Sequence, residues 1–268
     1  MTKTRKWQPS AFIKASLVLH AVAVATALVW PQSIVIVIVI AALIANHAAL
    51  AAAGLWPKSS LLGPNTLRLP SGRAEVALTI DDGPDPDVTP QVLDILKAYG
   101  IQATFFCIAS KVNKYPELAQ RMVAEGHHIE NHSMVHRHNF SVSGLHGIRK
   151  ELAAAQDVIE NVTGRRPLFF RAPAGLRNLF LDPVLHQLDL QLVSWTRRGF
   201  DTRVRDAQKI LDRLLDNAQA GDILLLHDAN AARGSNGQPV ILDVLPQLIE
   251  QITKQNLQFV RLEEGMRI

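Results

Sequence analysis

The sequence predicts an α/β fold, in which a parallel sheet of about seven strands curls into a distorted (β/α) barrel behind a two-helix transmembrane hairpin. Two observations predict it. From residue 75 onward, short apolar runs typical of strands alternate with amphipathic runs typical of helices. Before residue 75 lie two long apolar runs, and residues 1–74 include no acidic side chain.

The hairpin is predicted at residues 11–30 and 34–53, which are apolar over about 20 residues each. Twenty helical residues span about 30 Å, the thickness of a bilayer core. Residues 31–33 separate the two runs with a turn. Trp30 and Trp56 stand at the helix ends, where interfacial aromatic side chains are enriched.

Residues 1–56 are therefore predicted to be a membrane anchor, although two other interpretations stay open. A basic start and a small-residue stretch ending at Gly54 also suit a signal peptide, and a buried pair of core helices has a similar composition. The basic residues of this region lie outside the turn: Lys3, Arg5, Lys6, Lys14, Lys58, Arg68 and Arg73. The positive-inside tendency then predicts a multi-pass inner-membrane protein whose folded domain faces the cytoplasm.

Residues 57–74 are rich in Pro, Gly and Ser and are predicted to be a linker, so the folded domain covers residues 75–268. That domain holds 21 basic and 24 acidic residues, so it is slightly acidic, and the positive net charge of the whole chain, +4, comes from the seven basic residues of the N-terminal region. No basic stripe interleaved with aromatic residues occurs in it, which excludes a nucleic-acid-binding face. The single cysteine, Cys107, lies in an apolar run and excludes an internal disulfide or a Cys-rich metal site.

The strands and helices of the domain follow from its apolar periodicity. Strands are predicted at residues 76–80, 103–108, 127–130, 168–170, 190–194, 222–226 and 257–261. Helices are predicted at residues 89–99, 116–125, 144–162, 182–188, 205–219 and 240–253. In a barrel of this kind functional residues lie at the carboxyl ends of the strands.

Three strand ends carry residues with metal or proton-transfer chemistry. The first predicted strand ends in two adjacent carboxylates, Asp81 and Asp82, before a Gly-Pro break. One carboxylate can hold a metal ion while its neighbour accepts a proton. His132 and His136 are spaced i and i+4, and His227 follows the apolar run ILLL. The two spaced histidines alone would suit an ordinary surface, but together with the other strand ends they predict a metal-dependent hydrolase.

These motifs resemble the polysaccharide deacetylase family, which is also called NodB homology or carbohydrate esterase family four. The resemblance is carried by TIDDGPDPDVTPQVLDILKAYGIQATFF and by YPELAQRMVAEGHHIENHSMVH. It continues through FFRAPAG, SWTRRGFDT and ILLLHD to about residue 262. The family resemblance covers nearly all of the predicted domain and none of the hairpin.

The resemblance implies a site for one divalent metal, Zn²⁺ or alternatively Co, Ni, Fe or Mn. It implies that Asp82, His132 and His136 are the protein ligands and that Asp81 is the catalytic base. Imidazole and carboxylate ligands suit such ions, and three of them leave a coordination position open for water. It further implies that Arg171 pairs with Asp81 and keeps it ionised.

The resemblance implies roles for three further residues, and at two positions the chain departs from the residue that the family usually carries. His227 corresponds to the general acid, and Asp201 to the carboxylate that tunes it; a loop-surface Asp201 is the alternative. The backbone N–H of Ala174 corresponds to the group that stabilises the oxyanion, at a position where the family often carries Tyr. Thr202 stands where the family carries Trp, which changes the shape of the substrate site.

The expected function is hydrolysis of an N-acetyl group on an amino sugar in a glycan or lipid-linked glycan. One alternative is a deformylase or deacetylase of an undecaprenyl-phosphate-linked amino sugar, which the hairpin and the altered fourth motif favour. An alternative of another class is a non-catalytic, membrane-tethered glycan-binding protein. The remaining histidines of the motif region are expected to pack or to lie on the surface: His127, His128, His138 and His146.

Overall fold

The computed structural model describes residues 6–70 and 72–267; Lys3 and Arg5 of the predicted basic flank lie outside them. The strands are β1 Glu75–Asp81, β2 Thr104–Cys107, β3 His128–Asn131, β4 Phe169–Phe170, β5 Gln191–Leu192, β6 Arg197–Arg198, β7 Ile223–His227 and β8 Gln258–Val260. The helices are α1 Ala11–Val29, α2 Ser33–Leu55, α3 Thr89–Ala98, α4 Ala109–Lys114, α5 Pro116–Ala124, α6 Leu145–Thr163, α7 Leu181–Gln187, α8 Ala207–Leu215, α9 Val240–Lys254 and α10 Leu262–Met266.

The strands form one parallel sheet in the order β5-β4-β3-β2-β1-β7-β6, with β8 pairing beside β1. Residues 193–196 connect β5 to β6, although these two strands lie at opposite edges of the sheet. A connection this short requires the sheet to curl until its edges approach each other. The predicted distorted barrel is therefore confirmed as a curled parallel sheet.

Alternation along β1 explains why the sheet can carry a polar site on its inner face. Val76, Leu78 and Ile80 belong to the larger apolar core, which the flanking helices share. Ala77 belongs to the smaller core inside the curl. Because successive side chains of a strand point to opposite faces, Asp81 shares the inner face with Ala77. The outward side chains anchor the strand, since each buried aliphatic residue contributes about 1.5–3 kcal/mol.

Helices α1 and α2 lie against each other at the N-terminus and are long and apolar enough to cross a membrane. Their bounds agree with the predicted runs to within two residues at each end. Asn46 Nδ2 donates to Ser16 Oγ at 2.8 Å, and the His20 and His47 rings meet edge to face. These four polar residues therefore face each other between the two helices.

The hairpin is held against the domain at the end where α1 begins and α2 ends. Trp7 Nε1 donates to the Asp182 carboxylate at 2.7 Å, and Ser10 Oγ donates to the carbonyl oxygen of Leu61 at 2.5 Å. The Arg177 amide donates to the carbonyl oxygen of Gly54 at 3.1 Å. A Cβ at Gly54 would lie 2.3 Å from the Arg177 carbonyl oxygen, so only glycine allows this approach.

The described residues of the predicted linker, 57–70 and 72–74, lie along the domain. Leu62 and Leu69 are buried there. Thr66 forms a parallel bridge with Val193, just after β5, and Leu69 N donates to the carbonyl oxygen of Gly221, just before β7. This segment therefore contacts the edge of the sheet at β5 and the start of β7, which lies next to the other edge.

Candidate active site

The carboxyl ends of β1 and β7 place two ionisable side chains next to each other. Asp81 and His227 are the last residues of these adjacent parallel strands and are partners in the strand register. Both are more than nine-tenths buried, and both line a cleft of ≈ 290 Å³. The backbone pairing of the sheet thus determines the separation of a carboxylate and an imidazole at this edge.

Three side chains in the same cleft form a potential metal site. Single ligand atoms of Asp82, His132 and His136 lie within 4.8 Å of one another. Asp82 Oδ1 lies 3.3 Å from His132 Nε2 and 3.5 Å from His136 Nε2. This buried oxygen has no hydrogen-bond partner among the described residues. Two imidazole nitrogens converging on an unsatisfied carboxylate oxygen fit a divalent metal of the zinc type.

The backbone around these ligands is unusual for residues other than glycine. Asp82, Ser133 and His136 have φ angles of 77°, 68° and 50°, in the left-handed region. Such conformations persist where the surroundings enforce them, and they are concentrated at functional sites. The His136 amide donates to Ser133 Oγ at 2.9 Å, which holds the turn that carries the second imidazole.

Hydrogen bonds to the outer atoms of the ligands orient them. His132 Nδ1 lies 2.8 Å from the carbonyl oxygen of Arg171, so this nitrogen donates and Nε2 is left free as a ligand. Asn230 Nδ2 donates to Asp82 Oδ2 at 3.1 Å. Burial alone would raise the pKa of Asp82, but the neighbouring imidazoles of His132, His227 and His136 outweigh it and lower this pKa well below its usual range.

Asp81 is paired with Arg171, which comes from the end of β4. Arg171 Nη1 donates to Asp81 Oδ1 at 2.6 Å and to Thr79 Oγ1 at 2.9 Å. Arg171 Nη2 donates to the carbonyl oxygen of Ser194 at 2.9 Å, and the guanidinium lies 4.1 Å from the centre of the Phe106 ring. The guanidinium is 1% exposed and crosses the interior of the curled sheet. A fully buried cation with this geometry fixes the position and direction of the Asp81 carboxylate.

His227 is held by Asp201 through two hydrogen bonds. The backbone N–H of His227 donates to Asp201 Oδ2 at 2.7 Å, and His227 Nδ1 lies 2.9 Å from Asp201 Oδ1. Asp201 is fully buried, in contrast to the alternative of a surface position. Burial by itself would lower the pKa of His227, but the carboxylates of Asp201, Asp81 and Asp82 outweigh it and raise this pKa.

The wall of the cleft includes the remaining predicted positions. Ala174 lies in the short turn after β4 with φ 55°, and Thr202 follows the buried Asp201. Arg198 and Arg203 also line the cleft, and neither forms an ion pair with an acidic group within the described part of the chain. The Nε atom of Arg198 is buried without a hydrogen-bond partner there.

Three supporting residues were not predicted from the sequence. Thr79 binds Arg171, Asn230 binds Asp82, and Asp228 is fully buried behind the site. Burial raises the pKa of Asp228 to about 7, and the Thr89 hydroxyl donates to its Oδ2. A Cβ at Gly83 would lie 2.4 Å from that same oxygen, which explains the glycine after the two aspartates. The LHD motif and the alternation of β1 are the signals that could have indicated Asp228 and Thr79.

The other histidines lie outside the potential metal site. His127 and His128 are at the opposite end of β3, where burial lowers the pKa of each to about 4. His146 is exposed on α6. His138 is exposed in the loop after His136, at the wall of the cleft, and is not part of the three-residue cluster.

Comparisons with known proteins identify the family that this chain resembles over most of its length. A family model described as polysaccharide deacetylase matches residues 68–193. A peptidoglycan-N-acetylglucosamine deacetylase of Bacillus cereus is 33% identical over 204 residues, covering 75% of this chain and 92% of that protein. A chitooligosaccharide deacetylase of Azorhizobium caulinodans is 33% identical over 170 residues, covering 63% of this chain and 80% of that protein.

Solved structures show the same fold. A crystal structure of a peptidoglycan N-acetylglucosamine deacetylase superposes with a TM-score of 0.69 at 28% identity, covering 76% of this chain and 92% of that one. A pseudoenzyme from Bacillus anthracis, at 22% identity, superposes with a TM-score of 0.68 over 76% of this chain and 69% of its own. At that identity the likeness concerns the fold alone.

Proposed function

Because the chain belongs to the polysaccharide deacetylase family, we propose that it is a metal-dependent hydrolase that removes the N-acetyl group from an amino sugar in a glycan. The observation that carries this proposal is the register of β1 and β7. It places Asp81 and His227 side by side, next to the cluster of Asp82, His132 and His136. A base, an acid and a metal site in one cleft are the groups that hydrolysis of an amide needs.

Asp82, His132 and His136 would hold the metal, with Zn²⁺ as the proposed ion. When bound, such an ion supplies Lewis-acid polarisation of a carbonyl oxygen and lowers the pKa of a water molecule to about 7. Asp81, which lies beside this cluster, would act as the base that accepts a proton from the attacking water. The ion pair with Arg171 holds the Asp81 carboxylate in place at the cleft.

His227 would donate a proton to the departing sugar nitrogen. Its hydrogen bond to Asp201 directs Nδ1 away from the cleft and leaves Nε2 to face the substrate. The backbone N–H of Ala174, on the cleft wall, is proposed to bind the developing negative charge on the acetyl oxygen. Arg198 and Arg203 carry positive charge at the same wall and favour a substrate with an anionic group beside the amino sugar.

The proposal is tested by acetate release. The purified full chain, loaded with Zn²⁺, is incubated with N-acetylated chitooligosaccharides, peptidoglycan fragments and a lipid-linked N-acetylhexosamine. Acetate and the free amine, measured by mass spectrometry, are expected from at least one of them. Failure with all three, in a preparation that holds one metal ion per chain, would favour a non-catalytic glycan-binding protein.

Exchanging Asp201 for Asn is expected to shift the alkaline limb of the pH–rate profile. The acid must carry its proton to act, so the rate falls as the pH rises through the pKa of His227. Asp201 raises that pKa, so D201N should move the alkaline limb to lower pH by about one unit or more. The measurement is kcat against pH for both proteins, and the acidic limb serves as the internal control. An unchanged alkaline limb would contradict the acid role of His227.

We further propose that α1 and α2 form a retained membrane anchor and that the domain faces the cytoplasm. The contacts of Trp7, Ser10 and Gly54 with the domain support an anchor that stays attached, in preference to a cleaved signal peptide. Two spans return the chain to the side on which it began. The basic residues beside the spans favour the cytoplasmic side.

A reporter fused after residue 268 tests this orientation. A fusion whose activity requires the cytoplasm should be active, and one that requires the outer side should be silent. A second fusion, placed in the turn at residues 31–33, should show the opposite pattern and controls for expression. Activity of the C-terminal fusion on the outer side alone would contradict the orientation and favour an exported glycan as substrate.

A further inference from the structure

An apolar groove of ≈ 260 Å³ lies where the last turns of α2 meet the domain. One wall is formed by α2 through Ala51 and Leu55, and the other by Val142 and Leu179 of the domain. Leu55, Val142 and Leu179 are 63%, 79% and 40% exposed, respectively. Exposed apolar side chains gathered around one groove are typical of a binding surface for an apolar partner.

The groove lies at the level of the membrane surface if the hairpin spans the bilayer. The 23 residues of α2 extend about 34 Å, slightly more than the roughly 30 Å of a hydrocarbon core. Both the start of α1 and the end of α2 contact the domain, so the turn between them is the distant end. The last helical turn, which carries Ala51 and Leu55, therefore lies at the interface beside the domain.

A buried cation lines this mostly apolar groove. Arg177 lines it and is 5% exposed. Its Nη2 donates to the carbonyl oxygen of Ser59, whereas its Nε has no hydrogen-bond partner within the described residues. A guanidinium with a free donor binds phosphate well. Hydrocarbon and phosphate binding in one groove matches the chemistry of a lipid phosphate.

One short segment, residues 174–177, contributes residues both to the groove and to the catalytic cleft. Ala174 and Gly175 line the cleft, and Arg177 lines the groove. Three residues span at most about 11 Å, so the backbone positions of Ala174 in the cleft wall and Arg177 in the groove wall are no farther apart than that. Pro57, just beyond α2, lies close to Gly175, so the anchor also contacts the cleft wall.

We propose that this groove binds the hydrocarbon chain and phosphate of a lipid-linked amino sugar, so that the membrane presents the sugar to the cleft. The inference rests on the deacetylase function and the membrane anchor proposed above, and it names their substrate class. Charge supports it, because a cation lines each site, Arg177 in the groove and Arg198 in the cleft, and neither forms an ion pair within the described residues.

The kinetic test uses the full chain in lipid nanodiscs and two substrates with the same N-acetylhexosamine phosphate. One phosphate carries a long hydrocarbon chain and the other a methyl group. Filling the groove with A51W should lower kcat/KM for the long-chain substrate about tenfold and leave the methyl ester unchanged. A52W adds the same side chain at an exposed neighbour outside the groove and should change neither value.

Two kinetic results would overturn the assignment. The first is equal kcat/KM of the wild-type chain for both substrates, and the second is an equal effect of A51W on both. If acetate were released from the glycan substrates and not from the lipid-linked ones, the proposed lipid-linked substrate would be wrong, whereas the proposed deacetylase function would stand. No acetate from any substrate would instead remove the deacetylase function, and the binding measurement below then decides whether the groove takes a lipid phosphate.

Fluorescence quenching can measure binding of a lipid phosphate to the groove independently of catalysis. The only cysteine, Cys107, is fully buried, so V142C provides a single accessible thiol for a bimane label. A lipid phosphate brominated on its chain, present at low mole fraction, should quench this label more than a brominated neutral lipid at the same fraction. The excess quenching should disappear when A51W is added, and a label at Q251C on α9 should show none. Equal quenching by both lipids would overturn the proposed site.

Discussion

Replacement of Asp81 by Asn is expected to lower kcat by about 10²-fold or more while the protein still binds its metal. Asp81 is hydrogen-bonded to Arg171 and is not part of the metal cluster. An amide of the same shape can still accept a hydrogen bond from Arg171, but it cannot accept a proton from water. The measurement is kcat from acetate release together with metal content per chain.

Two comparisons make this result specific. D82N should lose metal affinity first, because Asp82 Oδ1 faces both imidazoles. A thermal unfolding curve of D81N controls for the lost ion pair. If D81N instead lost its metal and recovered normal kcat on metal resupply, the two aspartates would have their roles exchanged.

Replacement of His132 by Ala is expected to remove metal and activity together. His132 is 2% exposed, and its Nδ1 is engaged with the Arg171 carbonyl oxygen, so only Nε2 is available to a metal. Loss of one of three protein ligands should lower metal affinity by at least the 10–100-fold that loss of an outer-shell partner typically causes. Metal content by elemental analysis and acetate release are measured on the same preparation.

The matched control is H138A. His138 is exposed at the wall of the same cleft and lies outside the cluster, so its loss should leave metal content unchanged. An H132A protein with full metal and full activity would contradict the ligand assignment. If H138A lost its metal and H132A retained it, the metal ligands would have to be reassigned to the outer loop that carries His138.

The strands and long helices could be predicted because apolar periodicity alone specifies them. β6 could not, since Arg197 and Arg198 carry no apolar signal and pair with β7 through tertiary geometry. Short helix α4 was missed for a similar reason, because six residues are too few for a periodic pattern. The packing of residues 57–74 on the domain depends on contacts with β5 and β7, which local composition does not reveal.

The site itself was accessible from motifs, whereas its supporting contacts were not. Strand alternation and adjacency predict that Asp81 and His227 approach each other. The partner of His227 needed the structure, because Asp201 lies in a loop with no periodicity and reaches the imidazole only in the folded chain. Asn230, which holds Asp82, is likewise placed by a loop. The roles of these residues stay predictions until the variants are measured.

The buried guanidinium of Arg171 limits the order in which mutations can accumulate at this site during evolution. Asp81 is its only acidic partner within the described chain. Loss of the carboxylate to an apolar residue would leave an unpaired buried cation and cost about 3–5 kcal/mol, a large share of a domain's net stability. A lineage that abandons hydrolysis should therefore lose the partly exposed His136 earlier than Asp81. Inactive descendants of this protein are expected to retain the Asp81–Arg171 pair because it stabilises the fold.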